Sequence, residues 1–268
     1  MIELNQIEQV FVARMARTIW GHPIYFTASY YVDGLLVDSG PTVLEREFLI
    51  FLRDKTVRVL VNTHHHEDHI GNNAVLQKRF GMPIYAFSLA LPTLANPSLL
   101  NMALYRRLTW GVPPPSRGLP VGRALRVNDH PYQIFYTPGH SEKDITLFEP
   151  NQRWAFTGDL FVRGRDVVFR RKSNAKALIK SLEFLKSLQP RILFPGSGHP
   201  VLNPGEELEK KLAYLYELKE KIVGLYRSGA SMGEIKKRLF HRTPLLARIS
   251  AGDYSAENLI RTFVESFA

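Results

Sequence analysis

The run VRVLVNT at 57–63 is apolar without alternation, as a strand is when both of its faces are covered. The sequence THHHEDHIGN overlaps its end, so histidines and acids are delivered to the mouth of a buried strand. The rest of the chain must supply the layers that flank it.

Period-two patterns predict strands over 7–16 and 24–38, with Asp33-Gly34 as a tight turn inside the second. A helix is expected over 42–53 and another at about 71–80, followed by the short strand PIYAF. The stretch 88–122, rich in Leu, Pro and Arg, reads as a partly helical insertion able to form a lid, with Tyr105, Arg106 and Trp110 as candidate substrate contacts. An aromatic on an amphipathic helix fits a core position as well. Strands resume at RALRV, YQIFYTPG, ITLFEP and RWAFTGD; a helix at 175–188 and the strand RILFPGS follow. From about 205 the pattern is nearly all helix, at 205–228, 231–240 and 255–267, with breaks at Gly229 and the Thr243-Pro244 pair. Strand runs interspersed with helices suggest an α+β chain, with helices covering two packed sheets within 1–204 and a helical extension over 205–268, although periodicity alone does not choose this over other α/β layouts.

A chain of 268 residues is long enough to bury one sizeable core. It has no cysteine, which excludes a disulfide scaffold, a Cys-type zinc site and a thiol nucleophile. The opening MIELNQIEQVFVARMAR lacks the pattern of a secretory signal, and no window is apolar for long enough to span a bilayer. A soluble cytoplasmic protein without a membrane partner is therefore expected. Lys and Arg exceed Asp and Glu by 35 to 25. That surplus favours anionic partners such as nucleic acid, a nucleotide-bearing thioester or a phosphorylated small molecule, and it also fits a merely solvated basic surface.

The chemistry concentrates in His64, His66, Asp68 and His69, four donors in six residues of a chain with nine histidines. In extended geometry His64 and His66 point to one side, and Asp68 and His69 follow where the chain bends away, placed to serve a second centre. Three further segments end a strand with a donor beside glycine: YTPGHS with His140, AFTGDL with Asp159 and LFPGSGHP with His199. A lone histidine beside glycine is usually a turn residue, but four segments built alike are hard to attribute to loop composition. Imidazole and carboxylate donors without thiolate fit a catalytic rather than a structural metal site.

HxHxDH followed by GH, GD and GH in this order resembles the metallo-β-lactamase superfamily, over about residues 7–203. The resemblance implies an αββα four-layer sandwich with metals at one edge. It further implies that His64, His66 and His140 hold one metal, that Asp68, His69 and His199 hold the other, and that Asp159 bridges them. Asp38, in LLVDSGP, resembles the family's aspartate that orients a ligand; a turn residue after a strand would look the same. Two divalent ions, zinc by default with iron or manganese open, would bring a bridging water to near-neutral pKa and polarise the scissile bond. Asp68 could also accept or shuttle the proton, as the family implies. No GxSxG elbow offers a competing nucleophile.

Two substrate branches are visible in this resemblance. TPGHS and GDLF are similar to the glyoxalase II-like branch, which implies a coenzyme A or glutathione thioester, or another carbonyl ester or lactone. FPGSGHPVLNP and the helical tail are similar to the endoribonuclease-like branch, which implies phosphodiester cleavage and an RNA partner. The cluster Arg163, Arg165, Arg170, Arg171 and Lys172 suits either anion, and fits a solvated hairpin equally well. A mononuclear iron sulfur dioxygenase is the alternative from another reaction class, and a homodimer through the tail is a further expectation.

Overall fold

The computed structural model describes residues 1–241 and 244–268, in two compact units that are described separately. Thr243 of the expected Thr243-Pro244 break therefore lies outside the described residues. The larger unit comprises Met1–Tyr136, Lys143–Asp159 and Arg191–Leu202; the smaller comprises Thr137–Glu142, Leu160–Pro190 and Asn203–Ala268.

Two large sheets dominate the larger unit, beside a short hairpin of Thr18–Ile19 and His22–Pro23, and in each large sheet the strand order follows chain order. The first contains β1 (Ile2–Ile7), β2 (Val10–Met15), β3 (Thr27–Val32), β4 (Leu35–Val37), β5 (Val59–Val61), β6 (Ile84–Ala86) and β7 (Gly118–Pro120). Its first four strands are antiparallel and its last four parallel. The second sheet holds β8 (Ala124–Val127), β9 (His130–Tyr136), β10 (Ile145–Glu149), β11 (Trp154–Gly158), β12 (Ile192–Pro195) and β13 (Val201–Leu202), with β11 and β12 parallel.

Apolar residues of both sheets meet in one buried cluster, among them Val12, Tyr30, Val59 and Val61 from the first and Ile134, Leu147, Phe156 and Phe194 from the second. Each contributes roughly 1.5–3 kcal/mol by leaving water. Tyr30 packs edge-on against Phe156 and Phe194, and its hydroxyl donates to the Pro195 carbonyl, fastening one sheet to the other. A second cluster covers the outer face of the first sheet, where Leu36, Leu60 and Ile84 meet Phe48 of helix α1 (Glu45–Phe51). The apolar run at 57–63 is thus covered on both faces, as its lack of alternation requires.

Two expectations need correction. The strand expected over 7–16 is β2 from Val10 on, but its start is not: Ile7 ends β1, and the β1–β2 hairpin turns at Glu8, which adopts left-handed backbone with φ 54°. The insertion over 88–122 contains helices but also ends in the edge strand β7.

Among the helices are α2 (Glu67–Ile70), α3 (Asn73–Phe80), α4 (Leu91–Ala95) and α5 (Leu104–Trp110) in the larger unit. The smaller unit carries α6 (Ala175–Ser187), α7 (Gly205–Arg227), α8 (Met232–Leu239), α9 (Leu245–Ile249) and α10 (Ala256–Phe267). There α10 packs against α6, α7 and α8, so the tail helices share a core with α6. Ser231 and Glu234 close a capping box at the start of α8. Lys211 of α7 is buried against Asp166 at 2.7 Å and donates to the carbonyls of Val162 and Gly164. No helix among the described residues is long and apolar enough to cross a membrane.

Candidate metal centre

Parallel pairing brings strand ends to one place. Val37 of β4 pairs with Val61 of β5, so Asp38 and Thr63 emerge side by side; Gly158 of β11 pairs with Pro195 of β12, which does the same for Asp159 and Gly196. Ligand-bearing loops at the carboxyl ends of parallel strands follow the general rule for such sheets.

Asp38 is 2% exposed and holds left-handed backbone, φ 58°, a conformation that Asp tolerates better than most residues. Its Oδ1 accepts the Thr63 N–H at 2.8 Å, and its Oδ2 accepts the Thr63 hydroxyl at 2.7 Å and lies 2.8 Å from His69 Nδ1. The carboxylate thereby fixes the His69 tautomer, with Nδ1 protonated and the Nε2 lone pair directed away.

His69 belongs to α2, one helical turn that begins after His66, whose backbone is extended. The His69 N–H donates to the His66 carbonyl at 2.9 Å. One turn has little stability of its own, and the surroundings hold it. The His69 carbonyl accepts from Ser39 N–H, Ser39 Oγ and Asn62 Nδ2, and Asn62 and Asn73 exchange amide hydrogen bonds behind it. On the other side the His64 ring centroid is 4.6 Å from that of His66 and 4.0 Å from that of His69.

The donor set fits a divalent cation. His69 Nε2 is buried without a hydrogen-bond partner, and it lies 3.5 Å from Asp159 Oδ1 and 3.7 Å from Asp68 Oδ2. One donor atom each from His64, His69 and Asp159 lie within 4.8 Å of one another. Burial disfavours a protonated His69, but the carboxylates of Asp38, Asp68 and Asp159 outweigh it and raise the pKa well above the usual histidine value. The same surplus of negative charge favours a metal ion in place of the proton. Glycine makes the approach possible: a Cβ at Gly196 would stand 2.2 Å from Asp159 Oδ1 and 3.0 Å from His69 Cε1, and one at Gly158 would stand 2.5 Å from Thr63 Oγ1.

Among the expected site residues, His64, His66, Asp68, His69 and Asp159 gather at these strand ends with Asp38 behind them. His140 lies in the smaller unit, half buried; its carbonyl accepts from Ser173 Oγ, and the Gly139 carbonyl accepts the Asn174 N–H just ahead of α6. Where the larger unit resumes, the Ile145 N–H donates to the Thr63 carbonyl, next to His64. His199 is exposed on the loop after β12. Tyr105 is half buried and Trp110 is buried, with ring centroids 6.3 Å apart, and the buried Arg106 forms a two-point ion pair with Glu67. The sequence pattern does not single out Glu67, Thr63, Asn62, Ser39 or Asn73. Only Thr63 and Glu67 stand inside the histidine motif, and nothing in the sequence shows which partner each meets.

Two sheets with a histidine–carboxylate cluster at their strand ends have the build of a metallohydrolase. Residues 23–198 match the model of the metallo-beta-lactamase superfamily, and the chain belongs to that superfamily. It is similar to the metallo-beta-lactamase family protein TTHA1429 from Thermus thermophilus, at 18% identity and TM-score 0.73 over 97% of this chain and 94% of that one. It is similar to TTHA1623, solved in a di-iron-bound form, at 27% identity and TM-score 0.56 over 67% and 91%. The α+β class with C-terminal helices, expected from the sequence, is the fold these likenesses support. A hydroxyacylglutathione hydrolase from Legionella pneumophila (strain Paris) is 29% identical over 50% of this chain and 44% of its own length. An uncharacterized protein from Aquifex aeolicus (strain VF5) is 27% identical over 49% and 61%. The matched part of the chain spans about half the length of these curated relatives.

Proposed function

We propose that the chain is a dinuclear metal-dependent hydrolase acting on a small anionic thioester, of the glutathione or coenzyme A kind, or on a related carbonyl ester. The observation that carries the reading is His69 Nε2, buried, fixed in tautomer by Asp38, and aimed between the Asp68 and Asp159 carboxylates. His64, His66 and His140 would hold one cation, Asp68, His69 and His199 the second, with Asp159 shared. When bound, two such cations supply a water of near-neutral pKa and polarise the scissile carbonyl. Asp68 would take up and pass on the proton that the attacking water loses, while Asp38 holds His69 in orientation. Zinc is the proposed metal, and the di-iron form of TTHA1623 keeps iron in the test.

The thioester reading is supported by the hydroxyacylglutathione hydrolases among the relatives. The basic run that prompted the RNA reading is partly engaged within the smaller unit: Arg163 faces Glu207, Arg170 faces Asp253, and Arg165 stacks over Tyr214. Metal analysis of protein purified without added metal, joined to a screen of glutathione and coenzyme A thioesters, lactones, phosphodiesters and RNA, tests the proposal. Two metals per chain with thioester turnover is the expected result. One iron per chain with sulfur oxidation, or turnover of RNA alone, would replace it.

A further inference from the structure

The sequence places Glu67 between two proposed ligands, His66 and Asp68, and in the structure its carboxylate pairs with Arg106 of the insertion. On a helical turn adjacent residues point in different directions. Arg106 of α5 donates from Nε to Glu67 Oε1 at 2.7 Å and from Nη2 to Oε2, a parallel two-point pair. Glu67 is 0% exposed and Arg106 is 7% exposed. The remaining Nη1 donates to the Leu100 carbonyl, within the same insertion. The insertion is fastened at other points as well: Arg17 donates to the Leu108 carbonyl, Trp110 packs edge-on against Tyr25, and Gln77 of α3 bonds both the N–H and the carbonyl of Arg117.

We infer that Arg106 is a positioning residue for the metal centre, and that the insertion over 88–122 works as a fixed strap and not as a lid. Three observations lead there. First, α2 is a single turn, so the directions of Asp68 and His69 depend on what grips it from outside. Second, the carbonyl end of that turn is held by Ser39 and Asn62, and Glu67 is its grip from the insertion side. Third, a guanidinium fork fixes orientation as well as distance, which a single charge cannot do. A lid that opened through α5 would strip the fork from a fully buried carboxylate, a penalty of the kind that makes broken buried pairs rare. The guanidinium, with each of its three nitrogens bonded to Glu67 or Leu100, serves this role and not substrate.

This inference rests on the metal-centre reading above, and the experiment separates the two. Wild type, Arg106→Lys, Arg106→Met and Glu67→Gln would be compared as full-length chains. Zinc affinity is measured by chelator competition, Co(II) spectra report ligand geometry, and thermal unfolding is followed in excess chelator. Arg106→Lys keeps the charge and loses the fork, so its metal-free unfolding temperature should fall less than that of Arg106→Met. Its affinity for zinc at the centre that Asp68 and His69 would hold should fall roughly tenfold or more, the range seen when partners of metal ligands are removed, and its Co(II) spectrum should change. Arg106→Met and Glu67→Gln should lose at least as much affinity if they fold. Arg106→Lys with wild-type zinc affinity and an unchanged Co(II) spectrum would overturn the strap while leaving the metal centre standing. A wild-type chain that takes up no metal would overturn both.

Discussion

Gly196→Ala separates folding from metal binding. The added methyl would stand 2.2 Å from Asp159 Oδ1, 3.0 Å from His69 Cε1 and 3.1 Å from the Gly158 carbonyl carbon. A carbon touches an oxygen at about 3.3 Å, so the Asp159 carboxylate must retreat by about 1 Å. Metal–ligand distances tolerate only about 0.2 Å, whereas the backbone at Gly196 is not left-handed and accepts alanine without torsional strain. The fold should therefore lose no more than the roughly 1–3 kcal/mol of an overpacked position, while zinc affinity drops by about 100-fold and kcat/KM by a similar factor. Gly224→Ala, on α7 with no atom within 4 Å of the new methyl, is the control and should leave zinc affinity unchanged. Chelator competition gives the affinities, and circular dichroism in excess chelator gives the metal-free stability. A Gly196→Ala protein that binds zinc as tightly as wild type would refute the assignment of Asp159 and His69 to one cation.

Other substitutions probe the remaining parts. Asp159→Ala and His66→Ala should each lose at least one metal by elemental analysis and nearly all hydrolysis; near wild-type turnover in either removes the proposed mechanism. Asp38→Asn places an amide where Thr63 N–H, Thr63 Oγ1 and His69 Nδ1 all need an acceptor, so zinc affinity should fall about 10–100-fold, measured in the same competition assay. Lys211→Met leaves the Asp166 carboxylate, 15% exposed, without its cation, which should cost no more than about 3–5 kcal/mol at neutral pH by denaturant unfolding. Burial already raises the Asp166 pKa and Lys211 opposes it. With Lys211 gone the carboxyl should hold its proton to higher pH, so the loss should shrink as pH falls and grow as pH rises; a pH-independent loss would contradict this.

How far the sequence could be read depends on whether a feature carries its cause locally. The run at 57–63 announces two covered faces by its lack of alternation, and Asp33-Gly34 announces its turn by residue type; both stand in the structure. The β1–β2 turn does not, because Glu8 takes a left-handed conformation that no glycine or asparagine signals. The strand Gly118–Pro120 is three residues long and pairs on one side only, too little to leave a pattern. At the site, residue types placed His64, His66, Asp68, His69 and Asp159 at strand ends, since glycine and turn position are written in the chain. Which carboxylate faces which arginine is not so written: Arg106 and Glu67 are 39 positions apart and meet only through tertiary packing.

Because strand order in both sheets simply follows the chain, each sheet can assemble from neighbours as it is made. The cation pocket cannot, since His64 and His69 come from the first sheet while Asp159 and Gly196 come from the second. A nascent chain halted ahead of β11 would carry the histidine motif but lack the Asp159 carboxylate that lies beside His69, and should grip metal poorly. Tight metal capture would thus mark the docking of the two sheets within this unit.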